Sequence, residues 1–211
     1  MPNWCDNHMT IYGPADKVID FVAGVETMAA PSFLKKYVPL NSDDPDYRDD
    51  PEFWDYDLAT ATWGTKWGDC SLSMPTSEKL TAATPDEHGN LTVTVNFDTA
   101  WGPAEVGLIA LSQRWPTLVF GLTFNEQGMD FMGSVIFVNG DEDVLLDDNI
   151  PRLVHPYMFE IDTFEADPYE TQHDRFMEWL YWQYRFVQAS SVSKWQEVFN
   201  AETASVPAGD A

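Results

Sequence analysis

The chain has 211 residues, 44% of them hydrophobic, which is enough to bury one sizeable core. Its 35 acidic residues outnumber its 11 basic residues and leave a formal net charge of -24 at pH 7. Duplex DNA and anionic membranes repel such a charge, so direct binding to either is disfavoured. The opening residues do not resemble a secretory signal and no apolar run has membrane-spanning length, so we expect a cytoplasmic protein.

Residues 4–25 predict a strand followed by a helix. Residues 4–13 alternate in part between apolar and polar side chains and end at a Gly-Pro pair, which is typical of a strand and a turn. Residues 15–25 then place their apolar side chains along one broad face of a helix that begins near Pro14. These side chains are Val18, Ile19, Phe21, Val22 and Val25.

Residues 29–60 combine prolines, acids and aromatic residues without a clean period. This composition predicts an irregular, largely exposed insertion with room for one helical turn.

Residues 63–74 and 86–101 together predict a β-hairpin. The first stretch resumes strand character after the insertion, and the second alternates strictly between apolar and polar side chains. The alternating apolar residues are Leu91, Val93, Val95 and Phe97.

Residues 102–116 predict a second helix, because prolines stand near both ends and apolar residues recur at helical spacing. Those residues are Val106, Ile109, Ala110 and Leu111. Residues 117–140 then indicate two strands around a turn at residues 126–128. The resulting order, βαββαββ, contains the β-α-β-β-α-β unit of ferredoxin-like α+β domains, an antiparallel sheet with two helices on one face.

The last third of the chain predicts a different organisation. Residues 167–187 indicate a helix that carries aromatic side chains nearly all round, so it either packs on the domain or forms a homodimer interface. We therefore divide the chain into a ferredoxin-like domain (1–140), a helical extension packed on it (141–200) and a disordered tail (201–211).

Four aromatic-rich motifs occur in the order MPNWCDN, WGTKWG, FDTAWGP and FNEQGMDFMG. In these motifs the chain resembles the YubB-type ferredoxin-fold family, small uncharacterised proteins encoded by plasmids and phages. The resemblance covers about residues 1–140 and implies a ferredoxin-like fold and a mobile-element gene. It implies no reaction and no catalytic residue. The acidic insertion and the C-terminal third lie outside the matching motifs.

The acidic residues are clumped. Residues 43–57, 141–148 and 160–174 hold more than half of the 35 carboxylates. At one charge per about 1.7 Å, 24 charges correspond to roughly 40 Å of duplex DNA. A compact chain of this length has a diameter of about 43 Å. The two charge densities are similar, so clumped acids on one face would present a DNA-like potential to a basic cleft.

The function that we predict from this pattern is non-enzymatic. The chain would be a DNA-mimic inhibitor of a basic nucleic-acid-binding host protein, such as a restriction or CRISPR-Cas component. A solvated acidic surface without a partner is the simpler alternative. The predicted partner-binding acids are Asp43, Asp44, Asp46, Asp49, Asp50, Asp141, Glu142, Asp143, Asp147 and Asp148.

Two other functions stay open. The chain could bind a small ligand or nucleotide through Trp63, Lys66, Trp67 and Trp101, since strand alternation would place Trp63 and Trp67 on one face and Lys66 on the other. Alternatively, it could be an enzyme that uses an N-terminal Pro2 amine or the Cys5 thiol. Cys5 and His8 would lie on opposite faces of the first strand, which disfavours their pairing, and core packing is the simpler role for Cys5 and for the tryptophans.

Metal and cofactor motifs are missing from the sequence. The acidic runs lack EF-hand spacing, the four histidines show no HExxH-like pairing, and glycine-rich phosphate-binding loops are absent. Cys5 and Cys70 offer neither a disulfide framework nor a CxxC zinc site. We therefore expect no metal and no cofactor.

Overall fold

The structure is a computed structural model that describes residues 3–41, 53–126, 128–129 and 131–149, with the backbone alone for residues 144–149. Pro2, much of the acidic insertion, the predicted C-terminal helix with its homodimer interface, and the predicted tail lie outside the described residues.

A six-stranded antiparallel sheet with the order β2-β3-β1-β4-β5-β6 forms the centre of the described structure. The elements in chain order are β1 (Trp4–Pro14), α1 (Ala15–Glu26), α2 (Phe33–Tyr37), α3 (Tyr56–Trp63), β2 (Cys70–Ser73), α4 (Ser77–Thr81), β3 (Asn90–Ala100), α5 (Glu105–Arg114), β4 (Val119–Glu126), β5 (Phe131–Val138) and β6 (Asp141–Asn149).

The strand order is that of a split βαβ fold. The connection through α1 joins β1 to β2, and these strands are separated by β3; the connection through α5 joins β3 to β4, and these strands are separated by β1. Each helix therefore crosses over one intervening strand, as in ferredoxin-like domains. The predicted ferredoxin-like α+β class is confirmed, and β5 and β6 extend the sheet beyond that unit.

The hydrophobic core lies between the sheet and its helices, on what we call the helix face. Val18, Phe21, Val22 and Val25 of α1 are fully buried, as the apolar spacing predicted, and Ile19 is partly buried against them. Strand alternation supplies the other side of the core. Its strand residues include Met9, Ile11, Val93, Val95, Phe97, Phe120 and Leu122.

The buried face of α5 differs from the predicted one. Of the predicted residues, Leu111 is fully buried, Ile109 and Ala110 are partly buried, and Val106 is 46% exposed, whereas Leu108, which was not predicted, is fully buried. Gly107 explains the rotation, because a Cβ atom there would lie 2.9 Å from Leu34 Cδ2. The missing side chain lets α5 approach α2 and α3 closely, next to Leu108 and Leu111.

Residues 29–60 are not a largely exposed insertion throughout. Phe33 and Leu34 of α2 are fully buried and Val38 nearly so, and α3 adds a second short helix. The predicted strand at residues 63–69 is also wrong: Trp63 ends α3, and Gly64 follows it in the left-handed conformation with φ 79°. A glycine tolerates this conformation without strain, so it terminates the helix there. Only Cys70–Ser73 pairs as a strand in this region, and it pairs with β3.

The acidic run after residue 140 forms a strand. Residues 141–149 are β6, which pairs with β5 at the end of the described sheet. The predicted helical character of the extension is therefore wrong for these residues, and the sheet does not stop at residue 140.

Asp69, which directly precedes β2, connects α2 to the sheet through hydrogen bonds. Its carboxylate accepts hydrogen bonds from Ser32 Oγ at 2.6 Å and from the backbone N–H groups of Phe33 and Leu34 at 2.8 and 3.1 Å. These N–H groups have no partner within the helix, so the carboxylate caps its N-terminus. Burial raises the pKa of Asp69 to about 6, although the hydrogen bonds to its charged form act in the opposite direction.

The raised pKa of Asp69 predicts a pH-dependent stability. Folding favours the protonated form, so the free energy of unfolding should fall by roughly 3 kcal/mol as the pH rises from about 4 to about 6. Asp69→Asn cannot titrate and should flatten this part of the profile, measured by urea unfolding at closely spaced pH values. Glu87→Gln, at a side chain that is 88% exposed, is the control and should keep the parent slope. An unchanged slope in Asp69→Asn would contradict the assignment.

Candidate binding groove

A polar groove with a cavity volume of about 320 Å³ lies on the second face of the sheet, opposite the helices. Its polar side chains come from four neighbouring strands, β2, β3, β1 and β4. They are Asp6, His8, Ser71, Asn96, Asp98 and Asn125.

Strand register brings these distant residues together. Asp6 stands opposite Asp98 on β3 and opposite Asn125 on β4, and His8 stands opposite Asn96 on β3. Side chains two residues apart on a strand share a face. The cross-strand pair of His8 with Asn96 therefore lies next to the pair of Asp6 with Asp98. The groove is thus a consequence of pairing β1 on both of its edges.

Two carboxyl groups face each other in the groove. The Asp6 side chain hydrogen-bonds to Asp98, and partial burial together with the Asp98 charge raises the pKa of Asp6 above its usual value. Like charges directly opposite each other destabilise an antiparallel pair. Among the described residues, Lys17 and His88 make the ion pairs, and neither pairs with Asp6 or Asp98. The groove therefore brings two carboxyl groups together on one face of the sheet.

His8 is held in place beside the carboxyl pair. Its Nδ1 lies 2.7 Å from Asn96 Oδ1, and because an amide oxygen only accepts, Nδ1 is the donor. Thr123 Oγ1 donates to the His8 carbonyl oxygen at 3.3 Å. The hydrogen bond to Asn96 orients the ring beside the carboxyl pair.

An aromatic shelf, which we define as Trp4, Trp67 and Lys66, lies at one end of this surface. Trp4 shares the strand face of Asp6, is 43% exposed, and has its ring centroid 5.7 Å from that of Trp67. Lys66 Nζ lies 4.4 Å from the Trp67 ring centroid, within the range of a cation–π interaction. Trp54 Nε1 donates to the Lys66 carbonyl oxygen at 2.7 Å and helps to hold the loop. The shelf thus already accommodates one cation.

The residues of the predicted ligand site separate in the structure. Lys66 and Trp67 lie together, but Trp63 is only 1% exposed and its Nε1 donates to the Val38 carbonyl oxygen at 2.7 Å. Trp63 is therefore a core residue and cannot stack on a ligand. Trp101 is 50% exposed in the connection between β3 and α5, with φ 73°.

The predicted acidic surface is described only in part. Asp141, Glu142 and Asp143 are exposed at the start of β6. Asp147 and Asp148 belong to the same strand, whereas residues 43–50 lie outside the described part of the chain. β6 is the last strand of the sheet among the described residues, and charges on an edge strand prevent unwanted pairing with another sheet edge, which is a structural role for the same residues.

Cys5 does not have the properties of a nucleophile. It is fully buried on the helix face, and burial raises the pKa of its thiol to about 12. His8 lies on the second face, so the expected separation of Cys5 from His8 is confirmed. Among the described residues no group of three or more His, Cys, Asp or Glu side chains could hold a metal ion. No helix in the described ranges is long and apolar enough to cross a membrane.

Comparison with known proteins supports the fold. Residues 81–150 match the family model described as the ferredoxin-like domain in Api92-like protein. This part of the chain is therefore similar to the ferredoxin-like domain of Api92-like proteins. A crystal structure of the protein api92 from Yersinia pseudotuberculosis covers 80% of this chain and 100% of its own, with 9% identity and a TM-score of 0.41. No curated protein matches the sequence.

The Api92-like match runs from the end of α4 through β6 and so includes the acidic strand. It contains the Asp98, Asn96 and Asn125 side of the groove but not β1. The finer resemblance to YubB-type proteins and the plasmid or phage origin stay predictions.

The opposed carboxyl groups predict the effect of neutralising one of them. Asp6→Asn should raise the free energy of unfolding at pH 7 by up to about 1 kcal/mol, because the amide is not repelled by Asp98 and can donate to it. The gain should shrink as the pH falls, since the parent chain becomes more stable once Asp6 binds a proton. Urea unfolding at pH 7 and pH 4 measures both effects. Glu87→Gln, near the opposite end of β3, controls for the loss of one charge. A lower free energy of unfolding in Asp6→Asn than in the parent chain would contradict repulsion between Asp6 and Asp98.

Proposed function

We propose that this Api92-like chain is a non-enzymatic acidic binding protein of phage or plasmid origin, which occupies the basic nucleic-acid-binding surface of a host protein. The proposed targets are defence proteins of the restriction or CRISPR-Cas type. The observation that carries the proposal is the net charge of -24, of which Asp141, Glu142 and Asp143 contribute three adjacent exposed charges.

The exposed part of β6 supports this reading. Successive side chains of a strand point to opposite sides, so three consecutive acids give negative charge to both sides of the strand. None of these three residues belongs to the ion pairs seen among the described residues. Exposed charges of one sign attract a basic partner.

The buried thiol also favours a non-catalytic role. Cys5 would need an accessible thiolate to act as a nucleophile, and its burial opposes ionisation. The alternative through the Pro2 amine lies outside the described residues.

A nucleotide-binding function is the second candidate, because Lys66 and Trp67 offer a cation beside an aromatic ring. A bound nucleotide should quench tryptophan fluorescence and raise the melting temperature. The Asp6 and Asp98 carboxyl groups would repel its phosphates, so the acidic-partner function has more support.

The proposal predicts that capture of the partner depends on the sign and place of the charges. Immobilised chain incubated with host lysate at low salt should retain a nucleic-acid-binding protein, and short duplex DNA or high salt should release it. The triple variant Asp141→Asn, Glu142→Gln, Asp143→Asn should retain several-fold less of that protein. Replacing the acids of residues 43–50 by Asn and Ser should reduce retention as well.

The matched control is Asp16→Asn, Asp20→Asn, Glu87→Gln, which removes the same number of charges from exposed sites away from β6. It should retain the partner as the parent does. Retention that survives high salt, duplex DNA and the β6 triple variant would overturn the proposal.

A further inference from the structure

We propose that the groove on the second face of the sheet is a binding site for a guanidinium group, such as an arginine side chain of a basic partner. Only the origin of that side chain rests on the proposed function. The ligand chemistry follows from the groove itself.

The lining of the groove is suited to a ligand that donates hydrogen bonds. Asp6 and Asp98 present carboxyl oxygens, and the Asn125 amide and Ser71 hydroxyl can add acceptors. His8 and Asn96, which hydrogen-bond to each other, complete the polar lining. A guanidinium group carries five N–H donors in a plane and no acceptor, so it can bridge opposed carboxylates while keeping its own donors satisfied. Its charge would also remove the repulsion between Asp6 and Asp98.

Other charged ligands fit less well. A phosphate would meet the Asp6 and Asp98 carboxyl groups and be repelled. A metal ion would need more ligands than two carboxylates, and the described residues contain no group of three or more suitable side chains. The cavity of about 320 Å³ is at the lower end of the range for small-molecule sites, which suits one side chain.

The aromatic shelf provides an independent indication of cation binding. Trp4 lies two residues before Asp6 on the same strand face, about 7 Å along β1. It is 43% exposed, and its neighbour Trp67 already carries the Lys66 ammonium group at 4.4 Å. Arginine stacks on tryptophan more readily than lysine does, because its guanidinium is planar and weakly hydrated. A guanidinium at the carboxyl pair would thus have an exposed indole ring next to it.

The experiment titrates the ¹⁵N-labelled full chain with L-argininamide, and in parallel with L-citrullinamide, at physiological salt. Citrullinamide has nearly the same shape but carries a neutral ureido group in place of the guanidinium. We expect argininamide to give saturable amide shifts in β1 and β3 around Asp6 and Asp98, with a shift of the Trp4 indole N–H. Citrullinamide should give no saturable shift.

Variants then assign the site. Asp6→Asn with Asp98→Asn should weaken argininamide binding by about tenfold or more, the loss expected when charge-assisted hydrogen bonds are removed. Asp16→Asn with Glu87→Gln removes two charges from exposed sites outside the groove and should leave the affinity unchanged. Thermal melting of each variant confirms that it is folded.

Three results would overturn the site: equal shifts with citrullinamide, shifts that spread over the acidic surface without saturating, or unchanged affinity in the groove double variant. The experiment distinguishes failure of the groove proposal from failure of the proposed function. If argininamide fails while salt-sensitive capture through β6 succeeds, the groove proposal is wrong and the proposed function stands. If argininamide saturates the groove while no partner is captured, the groove proposal stands alone.

Discussion

Pairing of β1 with strands on both of its edges is the constraint on which the rest of the structure depends. Its register with β3 runs from Trp4 opposite Ala100 to Pro14 opposite Asn90. The register sends Cys5, Met9 and Ile11 to the core. A slip of one residue would bury the Asp6 carboxyl among helices and expose Met9, so the hydrophobic core itself fixes the groove. The groove can hold an unfavourable carboxyl pair because the same strands bury a large apolar face on the other side.

The aromatic shelf depends on the core through the chain between α3 and β2. Trp63 at one end of this segment is buried, and Asp69 at the other end caps α2 from inside the structure. Lys66 and Trp67 lie between these two anchors. Their position beside Trp4 is therefore set by buried contacts, which is what a preorganised binding surface requires. The buried position of Asp69 lowers the stability of the folded chain at neutral pH, since burial disfavours the charged form of its carboxyl group.

The sequence was sufficient to predict the ferredoxin-like unit where side-chain periods are clean, as in α1 and β3. It was insufficient for residues 29–63, because the few apolar residues of α2 and α3 are scattered among acids and prolines. Ser32, Asp55 and Gly64 are capping signals for these helices, and they are readable only once a helix is suspected. The groove could not be predicted at all, since Asp6 and Asp98 are 92 positions apart and meet only through strand register. Trp63 and Trp67 illustrate the same limit, because their spacing alone does not distinguish a core tryptophan from a surface one.

The acidic character of β6 connects stability with recognition. A charged side chain of either sign protects a sheet edge, and lysine is the common choice for that purpose. The edge-protection role therefore explains why Asp141, Glu142 and Asp143 are charged but not why all three are acidic. The carboxyl pair of the groove has the same sign although repulsion makes it unfavourable in the free chain. Two surfaces built from different strands thus carry negative charge where folding alone does not require it, and this is the charge pattern that the proposed basic partner would need.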